Sequence, residues 1–151
     1  MPTITPFLWF DTQAEEAMSF YASVFKRSKV ISVNRAQGKV MAVQFELEGQ
    51  RFMALNGGPA FPFTEAISLF VGCETQQEID ELWGRLTADG GAPSRCGWLK
   101  DKFGLSWQIV PNSLGRMLSD PDPAKANRVM NAMLQMEKLD LQRLEQARDG
   151  D

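Results

Sequence analysis

The sequence predicts an α+β chain: two βαβββ modules in tandem, then a C-terminal helical extension. Three observations predict it. A strand-like run, a Thr-x-x-Glu start and an amphipathic helix occur twice, with the starts at Thr12 and Thr75; a Thr followed three residues later by an acid is a helix-capping signature. Strand-like runs follow each helix, and a glycine turn precedes the last of them in both copies, at Gly49 and Gly104. Helical spacing then resumes beyond the second copy. Recurrence of one order of elements is an architectural signal in itself. The modules span 1–60 and 64–112, forming one domain over 1–112, and the extension spans 113–151.

The first module opens with the strand "TITPFLWF". Thr12 and Glu15 begin a helix on which Ala14, Ala17, Met18, Tyr21, Val24 and Phe25 recur at helical spacing and make one apolar face. Three strand-like runs follow, "KVISVNR", "KVMAVQFEL" and "RFMALN", punctuated by Gln37-Gly38 and Glu48-Gly49. Met41, Val43, Phe45 and Leu47 alternate within the second run, and "GGPAFP" reads as a linker.

In the second module "EAISLFV" is the opening strand, and Thr75 with Glu78 starts a helix carrying Ile79, Leu82, Trp83 and Leu86 on one face. "DGGAP" stops that helix with a Gly-then-Pro signal. "GWLK" and "LSWQIV" pair across a turn in which Gly104 supplies positive φ. The remaining strand is short or hidden in "GGAPSRC". In the extension, Asp122 caps a helix that Pro123 begins, and Val129, Met130, Met133 and Met136 form an apolar stripe continuing through Leu141 and Leu144.

Composition excludes several function classes. With 44% hydrophobic and 23% charged residues the chain is that of a globular protein, and a net charge of -3 argues against a nucleic-acid partner. No apolar run approaches the about 20 residues that span a bilayer. The N-terminus "MPTITPFLWF" lacks a basic segment and a small-residue cleavage site, so a cytoplasmic protein is expected. Cys73 and Cys96 are too few for a disulfide framework and read as reduced thiols. The chain contains no histidine. That removes the commonest transition-metal ligand, the usual neutral-pH base and every Ser-His or Cys-His pair.

With the repeat established, "FMALNGGPAFPFTEAISLFVGCETQQEIDELW" and "CGWLKDKFGLSWQIVP" resemble the PhnB-like group of the vicinal-oxygen-chelate superfamily. That superfamily includes glyoxalase I, bleomycin-resistance proteins and extradiol dioxygenases, and the group carries the label 3-demethylubiquinone-9 3-methyltransferase domain. The likeness extends through "RVMNAMLQMEKLDL". It implies a glyoxalase/bleomycin-resistance-like barrel in which each module curls half-way around a cavity, usually within a homodimer. It also implies ligand slots on the first and last strand of each module, which fall at Thr5, Met53, Ala66 and Gln108; a one-residue register change replaces Ala66 with Glu65.

Alternation places the cavity residues independently. Ile67, Leu69 and Val71 make one aliphatic face, leaving Ala66, Ser68 and Phe70 on the other. Leu105, Trp107 and Ile109 turn to the core, leaving Ser106 and Gln108 inward. Thr5, Phe7 and Trp9 share a side, as do Arg51, Met53 and Leu55.

Metal chemistry needs more than these slots offer. A divalent ion would have Gln108, Thr5 and at best Glu65, and the Met53 thioether is a poor ligand for hard ions. No cofactor is therefore expected. Gln108 reads either as an amide bonded to a neighbour or as a donor–acceptor pair that orients a ligand. Arg51 either holds an anion, pairs with Glu46 or reaches solvent; Asp101 and Lys102 read as a solvated turn. Trp9, Phe7, Phe70 and Trp98 either stack on a ligand or fill the barrel. Gly57-Gly58 and Gly90-Gly91 lack the context of a Rossmann-type phosphate loop, so the methyltransferase label finds no support in them. The expected function is a metal-free binder of a small, largely apolar molecule with a polar handle, acting as a homodimer. The alternatives are a lyase, isomerase or dioxygenase with an atypical metal set at Glu65 and Gln108, and a methyltransferase.

Overall fold

The computed structural model describes residues 1–150. Its elements are β1 (Phe7–Phe10), α1 (Ala14–Val24), β2 (Ser28–Ala36), β3 (Lys39–Leu47), β4 (Gln50–Asn56), β5 (Ser68–Cys73), α2 (Gln76–Thr87), β6 (Ala92–Pro93), β7 (Trp98–Lys100), β8 (Ser106–Pro111), α3 (Leu114–Leu118), α4 (Pro123–Leu134) and α5 (Leu141–Asp149). Two units divide between Phe63 and Thr64. Each carries one four-stranded sheet, ordered β1-β4-β3-β2 in the first and β5-β8-β7-β6 in the second. The opening strand of each unit runs parallel to its last strand, and the other pairs are antiparallel. This is the predicted repeat, with the hidden strand reduced to Ala92–Pro93.

In the first unit, alternation sends Val43, Phe45 and Leu47 of β3 with Phe52 and Ala54 of β4 to one buried face. Helix α1 lays Ala14, Ala17, Met18, Tyr21 and Val24 over it. Phe45 and Phe52, register partners, stack at 5.5 Å between centroids. Each fully buried side chain of this size contributes about 1.5–3 kcal/mol. The start of α1 departs from expectation. Its N-cap is Gln13, which makes no capping bond, and Glu15 instead pairs with Arg35 at 2.8 Å. The Ala14 N–H donates to Asn56 Oδ1 on β4 at 2.8 Å. A residue from a strand 42 positions away does what Thr12 was expected to do.

In the second unit α2 is capped as predicted: the Glu78 N–H donates to Thr75 Oγ1 at 3.2 Å, and Thr75 reaches back to Glu78 Oε1. Ile79, Trp83 and Leu86 are buried. They cover Leu99, Trp107 and Ile109, which are 1%, 2% and 0% exposed. Strand β5 begins at Ser68, later than expected. The Thr64 hydroxyl accepts from the Ala66 N–H, and this local bond draws 64–66 into a turn in place of a ladder. Ile67, expected on one aliphatic face with Leu69 and Val71, is 63% exposed, and those two are half-buried.

The extension belongs to the second unit. Asp122 caps α4, accepting from the Ala124 N–H at 2.9 Å, with Pro123 in its first turn. Val129, Met136, Leu139 and Leu144 are buried with Val110, Leu114 and Met117. Met130, expected on the apolar stripe, points outward and is 39% exposed. Two main-chain bonds tie the segment after α4 to the turn before β7: Cys96 N–H to Met136 O and Gly97 N–H to Glu137 O, both 2.8 Å. Gln76, at the start of α2, grips the same segment from the side. Its amide donates to Leu139 O at 3.0 Å and accepts from the Leu141 N–H at 2.7 Å.

Gln76→Ala removes both bonds and leaves two main-chain groups unpaired. The expected loss is about 1–3 kcal/mol in urea unfolding of the full chain; an unchanged midpoint would show that the grip contributes nothing.

Candidate functional site

Because a helix covers only one side of each sheet, the alternate residues of the same strands form a helix-free face. In the first unit that face carries Phe7 and Trp9 of β1, and Arg51, Met53 and Leu55 of β4. Phe7 stands opposite Met53 and Trp9 opposite Leu55. Trp9 is already engaged. Its indole N–H donates to Gly58 O at 2.9 Å, and the Phe61 ring meets it edge-on at 4.9 Å. Gly57 makes the room: a Cβ there would lie 2.2 Å from the Trp9 ring. Phe7 is 51% exposed. Thr5 lies ahead of the strand and is half-buried. Arg51 is exposed, and Glu46 opposite it pairs with Lys29 at 3.6 Å. Lys29 and Glu46, with Arg27, Ser28 and Gly49, also line a shallow cleft of about 340 Å³. Its two cations are held by Glu46 and Glu48.

In the second unit the helix-free face is a small grid. One row runs Phe70 on β5, Gln108 on β8, Trp98 on β7; the next runs Ser68, Ser106, Lys100. Gln108 Nε2 donates to Ser68 Oγ at 2.9 Å, so the amide has the neighbour that one of its two readings required. Phe70 is 62% exposed, and Trp98 and Gln108 are half-buried. Ser106 is 1% exposed and its Oγ has no hydrogen-bond partner among the described residues. An unpaired buried hydroxyl costs about 1–3 kcal/mol.

Ser68, Phe70 and Gln108 thus come together in one unit, and Phe7, Trp9, Arg51 and Met53 belong to the other. Ala66 and Glu65 lie in the turn before β5. Glu65 is exposed and in a salt bridge with Lys100, whose hydrogen bond holds the Glu65 carboxyl below the usual carboxylate range. Among the described residues no three His, Cys, Asp or Glu side chains cluster as a metal site would require. The donors that do converge are one neutral amide and two hydroxyls. This set does not fit a divalent ion, which wants several charged or imidazole ligands.

Cys73 is 1% exposed, and burial pushes its thiol up to about 11, away from reactivity. Cys96 is half-buried at a positive φ of 59°.

Asp101 is where the structure corrects the reading of a solvated turn: it is 2% exposed. Its Oδ1 accepts from the Phe103 N–H at 2.9 Å and the Leu105 N–H at 3.1 Å, and its Oδ2 from the Trp107 indole at 2.9 Å. Gly104, at φ +88°, closes the turn with an N–H to Asp101 O. An Asp that bonds main-chain N–H groups two residues on is a recognised turn device. The tryptophan six residues later was the unread signal that this one is buried.

The profile of the family described as 3-demethylubiquinone-9 3-methyltransferase matches residues 2–110. Among solved structures, the PhnB protein from Bacillus cereus, which carries the same family description, is 39% identical, with a TM-score of 0.68, over 73% of this chain and 99% of that one. The fosfomycin resistance protein FosX from Listeria monocytogenes, complexed with Mn(II) and sulfate, is 14% identical with a TM-score of 0.57, over 78% and 95%. A glyoxalase/bleomycin resistance protein from Albidiferax ferrireducens T118 is 12% identical with a TM-score of 0.51, over 72% and 97%. These last two likenesses are of fold. No curated protein matches the chain.

Asp101→Ala strips the acceptor from three N–H groups at once, two of them main-chain. The expected cost is about 3 kcal/mol or more by denaturant unfolding, with Asp101→Asn in between because it keeps one carbonyl oxygen; equal midpoints for all three proteins would refute the role.

Proposed function

The chain belongs to the PhnB-like family described as 3-demethylubiquinone-9 3-methyltransferase, with the glyoxalase/bleomycin-resistance fold, and on that premise we propose that it is a metal-free, cytoplasmic binder of a small, largely apolar molecule with a polar handle. One observation carries the reading: Gln108, at one of the ligand slots that the resemblance implies, is bonded to Ser68 beside an exposed Phe70. The grouping is an amide among aromatics, which suits an organic molecule and offers a dication no charge. Two free cysteines agree with a reducing compartment, and no helix is long and apolar enough to cross a membrane.

The enzyme reading with a metal at Glu65 and Gln108 is weakened by the Glu65–Lys100 salt bridge. For methyl transfer, the glycine pairs that a nucleotide loop would need have packing duties. Gly57 accommodates the Trp9 ring, and a Cβ on Gly91 would lie 2.7 Å from Leu86 O. We further propose a homodimer. Ile4 and Phe7 in the first unit and Ile67 and Phe70 in the second are each more than half exposed, apolar side chains that a partner subunit would cover.

Elemental analysis of protein purified without chelator tests the first proposal. The expected content is below about one metal per ten chains; near-stoichiometric metal that disappears in Gln108→Ala would overturn it. Sedimentation at micromolar concentration is expected to give about twice the 16.9 kDa chain mass, and a species of the single-chain mass alone would refute the dimer.

A further inference from the structure

The grid on β5, β8 and β7 has spare hydrogen-bonding capacity whose type can be counted. A primary amide has two N–H donors and one carbonyl with two lone pairs; a hydroxyl has one donor and two lone pairs. The Gln108–Ser68 bond uses one amide donor and one Ser68 lone pair. What remains is the second Gln108 N–H and the Ser68 hydroxyl as donors, and the Gln108 carbonyl and one Ser68 lone pair as acceptors. With the amide turned by 180° and the hydroxyl donating, the pair still presents both kinds: two amide N–H donors, and the carbonyl and Ser68 lone pairs as acceptors. Ser106, in the same row as Ser68, adds an unpartnered hydroxyl that is 1% exposed. The nearby formal charges are Lys100 and Glu65, and they neutralise each other.

The flanking side chains set a length. Phe70 and Trp98 sit one strand to either side of Gln108. Strands are about 4.8 Å apart, so a ring lying over Gln108 would be roughly 5 Å from each aromatic. That separation falls within the range at which ring centroids attract.

We infer that this face takes an uncharged aromatic or heteroaromatic molecule with a donor and an acceptor side by side at its edge, a carboxamide or lactam group, read by Gln108, Ser68 and Ser106. The inference rests on the binder reading above and narrows it to one ligand class. A carboxylate would need a cation that Glu65 already holds. A plain hydrocarbon would leave the Ser106 hydroxyl and the spare capacity of the Gln108–Ser68 pair without partners.

The test is a titration of the ¹⁵N-labelled full chain with four probes of similar size: benzamide, benzoate, benzylammonium and toluene. Benzamide is expected to shift the amides of β5 and β8 saturably, binding about tenfold or more tighter than the other three. Ser106→Ala and Gln108→Leu, whose spectra report directly that they are folded, are expected to weaken benzamide about tenfold and leave toluene unchanged. If toluene binds as tightly as benzamide, the edge-reading inference fails while the binder reading survives. If benzoate or benzylammonium binds best, the ligand is charged and the inference fails. If none of the four perturbs β5 or β8, the binder reading itself fails.

Discussion

A buried carboxylate has to be answered by donors, and the second unit is arranged around the three that answer Asp101. Two are main-chain N–H groups of its own turn, and the third is the Trp107 indole. The bond to Trp107 fixes which way β8 faces. Side chains alternate along a strand, so once Trp107 is turned to the core, Ser106 and Gln108 must stand on the opposite side. The amide–hydroxyl pair and its flanking aromatics follow from that one orientation. A shift of one residue in β8 would bury the amide under α2 and expose an indole, and the Asp101 bonds oppose such a slip.

The duplication shows how one plan gives two different faces. Register makes Phe7 and Met53 of the first sheet the counterparts of Phe70 and Gln108 in the second. Two residues on, Trp9 is matched by Gly72. In the first unit that place is filled by a ring bonded to Gly58 and packed on Phe61. In the second, a Cβ at Gly72 would lie 2.2 Å from Asn112 Oδ1. The thioether and the amide at matched sites therefore sit in unlike surroundings, one beside a packed indole, the other in an open polar grid.

Much of this was legible in the sequence, and the rest was hidden for identifiable reasons. Periodicity is a property of neighbours, so the strands, the buried faces of α1 and α2, and the shared sheet face of Ser68, Phe70, Ser106 and Gln108 could be read directly. The Thr75 cap could be read because all its partners lie within one turn. Asn56 could not be recognised as the acceptor for α1, since its partner is remote in sequence and close only after β4 forms. Glu65 was expected on a strand because its own run looks extended; it lies instead in a turn where the Thr64 hydroxyl accepts from the Ala66 N–H. Asp101 looked like any turn aspartate until the position of Trp107 was known. Local pattern predicts orientation well, and it is blind to side chains that reach across the fold.

The tail of the chain has a mechanical consequence. Met136 and Glu137 supply the carbonyls that hold Cys96 and Gly97, and the next residue is Trp98. A nick upstream of Met136 would free the peptide at the root of the indole, loosening one wall of the grid from a distance. A fusion that tugs on α5 pulls first against Arg128, which donates to Ala147 O and Arg148 O, and then against the Gln76 anchor, so the two together isolate that wall from the free end.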